Sequence, residues 1–163
     1  MRKRSLQERY APASVCFGCG PANGHGLMLR SFVEGGVAVA RWRPRPYHHA
    51  FGEFLNGGVI STVLDCHSNW TAAYALMIRS GKKVPPPTVT SSITVEFIRP
   101  TPIGPLLIEA RASAVAGGRV AVESTLKAKG MVTATLRGTF VAVGAGHPAA
   151  SRWSGGKARA PAG

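Results

Sequence analysis

The stretch between Asn56 and Pro87 constrains the fold more than any other part of the chain. Val59, Ile60, Val63, Leu64, Ala72, Ala73, Leu76 and Met77 recur at helical spacing, yet they cover more than one helix face. A helix that is apolar nearly all round belongs inside a protein, because a surface helix keeps a polar face. Its ends are marked chemically. Asn56 is a good N-cap, since its side-chain oxygen can accept from the first free backbone N–H groups. Gly81 suits the left-handed residue that closes a helix, Arg79 opposes the negative end of the dipole, and Pro85-Pro86-Pro87 forbids continuation. The pattern predicts one buried helix from Gly57 to about Arg79.

Strand patterns flank this helix. Leu27–Val33 and Val37–Trp42 are short β-like runs around Gly35-Gly36, a hairpin arrangement. After the helix, Val89, Ser91, Ile93, Val95 and Phe97 alternate with Thr90, Ser92, Thr94 and Glu96, the period of a strand. Leu106–Val115, Val120–Ala128 and Val132–Val143 follow, separated by Gly117-Gly118 and Lys129-Gly130. Strands joined by such short turns form an antiparallel meander. The expected architecture is α+β: an antiparallel sheet wrapped around one long central helix, in a single domain over residues 13–144. Residues 1–12 and 145–163 lack apolar periodicity and are expected to be flexible basic tails.

Those terminal segments hold seven positive charges and one negative, +6 of the net charge of +13. A surplus of this size solubilises a protein and favours polyanionic partners, among them a nucleotide-bearing molecule such as coenzyme A. No nucleic-acid motif accompanies it and aromatics are only 7%, so a nucleic-acid partner is not expected. No apolar run is long enough to span a membrane and no apolar segment follows the basic start, so a cytoplasmic protein is expected. Cys16-Phe17-Gly18-Cys19 has the spacing of half a zinc site, but no second pair exists. It reads as a Gly-rich turn with two small thiols, and no metal is expected.

Asp65 is the only aspartate and sits in the third turn of the predicted helix. A carboxylate in a buried helix costs several kcal/mol unless partnered, so a functional role is a strong reading beside that of a satisfied structural group. Gly57-Gly58 adds to it. Two glycines in the first turn cost roughly 1 kcal/mol each against alanine. They leave N–H groups uncovered at the positive end of the helix dipole, where a developing oxyanion is stabilised. Ser61 and Asn69 lie four residues either side of Asp65 and are candidates to bond it or line a pocket. His48 and His49 lie in the preceding loop, with His49 a candidate for the substrate mouth. His67 points about 200° from Asp65 and reads as packed or at the surface.

Asn56-Gly57-Gly58 through Asp65 resembles the helix start of PaaI-like hotdog-fold acyl-CoA thioesterases, where His-Gly-Gly is followed by Asp nine residues after the His. Thr90–Phe97 with Arg99 and Pro100 is similar to the strand that follows, and Cys16–Gly20 with Asn23, Gly26 and Leu27 resembles a segment in a subset of the family. The resemblance implies a hotdog fold, pairing into homodimers or dimers of dimers, and hydrolysis of an acyl-CoA without a further cofactor, coenzyme A being part of the substrate. It implies Asp65 as base or nucleophile, the Gly58 N–H as oxyanion donor, and Thr90 reaching in from the partner subunit. Asn56 stands where the family usually has His. It can donate and accept but cannot protonate a leaving thiolate. Gly57, Ser61, Asn69, His49, Arg99 and Arg119 are the expected substrate contacts, the two arginines toward coenzyme A phosphates. The competing reading is a non-catalytic acyl-CoA or lipid-binding module on the same fold.

Overall fold

The computed structural model describes residues 2–151. A short helix α1 (Leu6–Tyr10) precedes β1 (Phe32–Glu34) and β2 (Val37–Trp42). A small hairpin, β3 (His49–Phe51) and β4 (Phe54–Leu55), leads into α2 (Gly57–Ser80), and β5 (Thr88–Phe97), β6 (Leu106–Ala116), β7 (Arg119–Ala128) and β8 (Met131–Ala142) follow. Six strands form one antiparallel sheet in the order β1-β2-β6-β7-β8-β5. It curves around α2, which packs on β5 to β8. This is the expected hotdog architecture.

The helix forms for the reasons legible in its sequence. Asn56 is extended and caps it, and Gly81 closes it at φ 66°, with the Gly81 and Lys82 N–H groups returning to Ile78 and Met77. Val63, Leu64, His67, Ser68, Ala72 and Ala73 are buried, so both faces are covered. Ile108, Val120, Val122, Leu126, Leu136 and Phe140 supply the sheet side of the core. No helix among the described residues is long and apolar enough to cross a membrane.

Two local expectations are corrected. Leu27 to Ser31 is not strand. Leu27 and Leu29 are buried, but their N–H groups go to the Phe17 and Gly18 carbonyls, so this segment pairs with the Cys16–Cys19 turn instead of a strand. The N-terminal segment is not a loose tail over its whole length. Ser5 and Glu8 cap α1 reciprocally, Leu6 is buried, and the Gln7 side chain exchanges two hydrogen bonds with Ser31. At the other end, Pro148–Ala150 forms a 3-10 turn, and residues 152–163 of the expected tail lie outside the described residues.

The β5–β8 ladder contains a bulge. Thr90 pairs with Phe140 and Ser92 with Thr139, which leaves Ser91 as an extra residue. Beyond it Ile93, Val95 and Phe97 oppose Gly138, Leu136 and Ala134. Directly opposed residues share a sheet face, and Phe140, Leu136 and Ala134 are all buried in the core. The bulge therefore turns Thr90 to the same helix-facing side as Val95 and Phe97, against simple alternation.

Candidate active site

At the helix start, Asn56 Oδ1 accepts from the Gly58 N–H at 2.8 Å and the Val59 N–H at 3.2 Å. The Asn56 N–H donates to the His48 carbonyl at 3.0 Å, which anchors the cap to the preceding turn. This changes the expected role of Gly58: its amide is committed to the cap. The Gly57 N–H makes no hydrogen bond within the described residues. A Cβ on Gly57 would lie 3.4 Å from the Phe97 ring, which places the end of β5 over this turn. The Ser61 hydroxyl turns back to the Gly57 carbonyl at 2.9 Å, as Thr62 does to Gly58. Ser61 thus serves its own helix and does not reach toward Asp65.

Two turns further on, the Thr90 hydroxyl donates to Asp65 Oδ1 at 2.7 Å, within one chain. The expectation that Thr90 comes from a partner is therefore corrected. The start of β5 is tied to α2 by Asn69, whose Oδ1 accepts from the Thr88 hydroxyl at 2.7 Å and whose Nδ2 donates to the Thr88 carbonyl at 3.4 Å. That clamp and the Ser91 bulge bring Thr90 onto the aspartate. Asp65 is half-buried, so its carboxyl group is held from the inside and reachable from outside.

A small cavity of about 20 Å³ beside Asp65 is lined by Cys16, Cys19, Cys66, Asn69 and Trp70. The sequence reading paired Cys16 with Cys19 but left Cys66 aside. The fold brings all three sulfurs within 4.8 Å of one another. The only pointer in the sequence is that Cys66 adjoins Asp65 on a buried helix. Hydrogen bonds from Cys19 and then Cys66, against burial, hold the Cys16 thiol well below the usual range. By the same contact with Cys16, Cys19 is pushed up to about 12, and Cys66 is also raised. His67 is fully buried and takes no part: Nδ1 lies 2.8 Å from the Ser31 hydroxyl and Nε2 3.1 Å from the Ala38 carbonyl. Burial lowers its pKa to about 4, so the ring is neutral.

The remaining candidates lie elsewhere. His49 is exposed on β3, paired with Leu55. Arg99 follows Phe97 near the helix start, with Nη1 on Met131 Sδ at 3.5 Å. Arg119 precedes the buried Val120 on β7, so it leaves the sheet face turned away from α2 and does not approach Asp65. A groove of about 460 Å³ runs over that outer face, lined by Glu109, Arg111, Glu123 and Arg137. It carries charge but neither of the helix features.

Comparison with known proteins places this geometry. The thioesterase superfamily matches residues 52–135, from the turn before α2 into β8. A thioesterase superfamily protein from Shewanella loihica is 29% identical, with a TM-score of 0.61 over 76% of this chain and 98% of that one. The PaaI protein of the E. coli phenylacetic acid degradation operon is 16% identical, with a TM-score of 0.62 over 72% of this chain and 81% of its own. A Streptococcus mutans protein, solved with acetyl-CoA bound, is 19% identical, with a TM-score of 0.58 over 71% and 89%. At the last two identities the likeness is one of fold. The comparison with curated proteins gave no match. With a family match across more than half its length and the hotdog sheet and helix in place, this chain belongs to the thioesterase superfamily.

Proposed function

We propose that the chain hydrolyses an acyl-CoA thioester to the free acid and coenzyme A, with Asp65 as general base or nucleophile. The observation that carries this reading is the 2.7 Å hydrogen bond from the Thr90 hydroxyl to Asp65 Oδ1 on a half-buried turn. One carboxylate oxygen is thereby fixed and the group is oriented, as a base or nucleophile requires. Acting as base, Asp65 takes a proton from water as its oxygen adds to the carbonyl carbon. The tetrahedral oxyanion collapses, the C–S bond breaks, and the thiolate leaves to be protonated. Acetyl-CoA in the S. mutans structure and the net charge of +13 here support a coenzyme A ester as the substrate class.

The oxyanion donor is assigned to the helix start. Since Asn56 engages the Gly58 N–H, the Gly57 amide is the nearer candidate in this state. Gly57 and Asp65 are eight residues apart, about 12 Å along the helix axis. A carbonyl that accepts from an amide while a carboxylate touches its carbon bridges only roughly 7 Å. For direct attack, each site is therefore read as composite, with Asp65 and Thr90 from one chain and the helix start from a second. Arg99, beside that helix start, is the candidate for coenzyme A phosphates.

The test is Asp65→Asn, assayed by free-thiol release from a panel of acyl-CoAs. Loss of a positioned base predicts a fall in kcat of about 10²–10⁴-fold with the fold retained. Turnover near wild type in the variant would overturn the role of Asp65. Tight acyl-CoA binding by the wild type with no thiol release would favour the non-catalytic module.

A further inference from the structure

We propose that Cys16, Cys19 and Cys66 form a binding site for one zinc-class divalent ion, against the turn of α2 that carries Asp65. C-x-x-C alone is half a site, but the fold supplies a third sulfur from the central helix, and all three lie within 4.8 Å of one another. The Cys16 and Cys66 sulfurs are 3.8 Å apart. Tetrahedral zinc, with Zn–S of about 2.3 Å, sets its sulfur ligands about 3.8 Å apart. A disulfide needs about 2.05 Å and joins only two of the three.

The surroundings hold the sulfurs in place. The Trp70 Nε1–H donates to Cys19 Sγ at 3.4 Å. Such donors orient and stabilise thiolate ligands from outside the coordination sphere. The turn is also moulded to Cys66. A Cβ on Gly18 would lie 2.4 Å from Cys66 Sγ, and one on Gly20 would lie 2.4 Å from the Cys16 amide nitrogen. The three cysteines line one cavity of about 20 Å³ with Asp65. That is room for a single ion or water molecule.

Thiolates at this spacing select zinc over magnesium or calcium, which take oxygen ligands. On binding, each sulfur still protonated gives its proton to solvent and its lone pair to the metal, with no change of oxidation state. The ion would pin the Cys16–Cys19 turn to the third turn of α2. This site does not depend on the acyl-CoA reading, since metal binding is measured without substrate.

The test uses the full chain, reduced and stripped of metal under anaerobic conditions, titrated with Co²⁺ alone. The expected result is saturation at one equivalent, with sulfur-to-cobalt charge-transfer bands and the intense visible bands of a tetrahedral site. Zn²⁺ should then displace Co²⁺ and protect the thiols from a thiol reagent. Cys16→Ser, at the half-buried position, should weaken Co²⁺ binding at least tenfold while circular dichroism stays unchanged; if Cys66→Ser fails to fold, the wild-type titration and Cys16→Ser still decide. Absence of charge-transfer bands from the reduced wild type, or zinc that leaves all three thiols reactive, would overturn the site.

Discussion

Thr90 acts on Asp65 through one donated hydrogen bond of 2.7 Å, and the quality of that contact depends on the strand beneath it. Replacing Thr90 with Val keeps the β-branched shape that suits β5 and removes only the donor. A hydrogen bond to a charged group contributes about 1.5–3 kcal/mol, so kcat should fall roughly 10–150-fold in Thr90→Val. Thr90→Ser, which restores a hydroxyl, should recover most of it. The two variants are compared by steady-state thiol release with kcat and KM separated; equal loss in both would assign Thr90 to packing alone. Residues differ in how far they could be read ahead. Asp65, Asn56 and the two glycines were legible because cap, breaker and carboxylate are local chemistry. Thr90 was reached only through the family pattern, since alternation puts it opposite Val95, and the Ser91 bulge that reverses this is a property of the ladder with β8. Cys66 was missed as the third thiol because its neighbours come from 47 and 50 residues away in the chain, Cys19 and Cys16.

At the level of elements, the long ones were readable and the short ones were not. The helix and the four strands from β5 to β8 repeat a period often enough to declare themselves. Helix α1 has only five residues, too few to repeat a period, although Ser5-Leu6-Gln7-Glu8 carries the spacing of a capping box. It docks through buried Leu6 and through polar contacts. Gln7 Nε2 donates to Ser31 Oγ at 3.0 Å, Gln7 Oε1 accepts from the Ser31 N–H at 2.9 Å, and Ser31 Oγ in turn lies 2.8 Å from His67 Nδ1. Gln7, Ser31 and His67 are all fully buried, so this chain of contacts joins the N-terminal segment to the central helix away from water. Gln7→Ala leaves the buried Ser31 N–H without its acceptor. The expected cost is about 1–3 kcal/mol, seen as a lower urea midpoint at unchanged m-value. An unaltered midpoint would show that α1 is dispensable to the body.

For the whole molecule, the composite site proposed for direct attack and the sheet edge point the same way. β5 is ten residues long and lies at one edge of the sheet. An edge strand of that length invites pairing with another strand, and Phe97 at its end is 55% exposed. A second copy seated near β5 would bring a second helix start within reach of Asp65 and Thr90. Two defective chains can then repair one another. Asp65→Asn removes the carboxylate. Gly57→Pro removes the candidate donor N–H at the first helical position, where proline is well tolerated, and Asn56 already has the extended conformation that proline demands of its predecessor. Each variant alone should be inactive. Refolded together in equal amounts, half of the dimers are mixed, and each mixed dimer holds one site with both lesions and one with neither, so activity should return to about a quarter of wild type. If a single chain supplied both groups, every site in the mixed dimer would carry one lesion and the mixture would stay silent. Light scattering on the same samples establishes that dimers are present, so a silent mixture of dimers would refute the shared site while leaving the role of Asp65 to its own substitution.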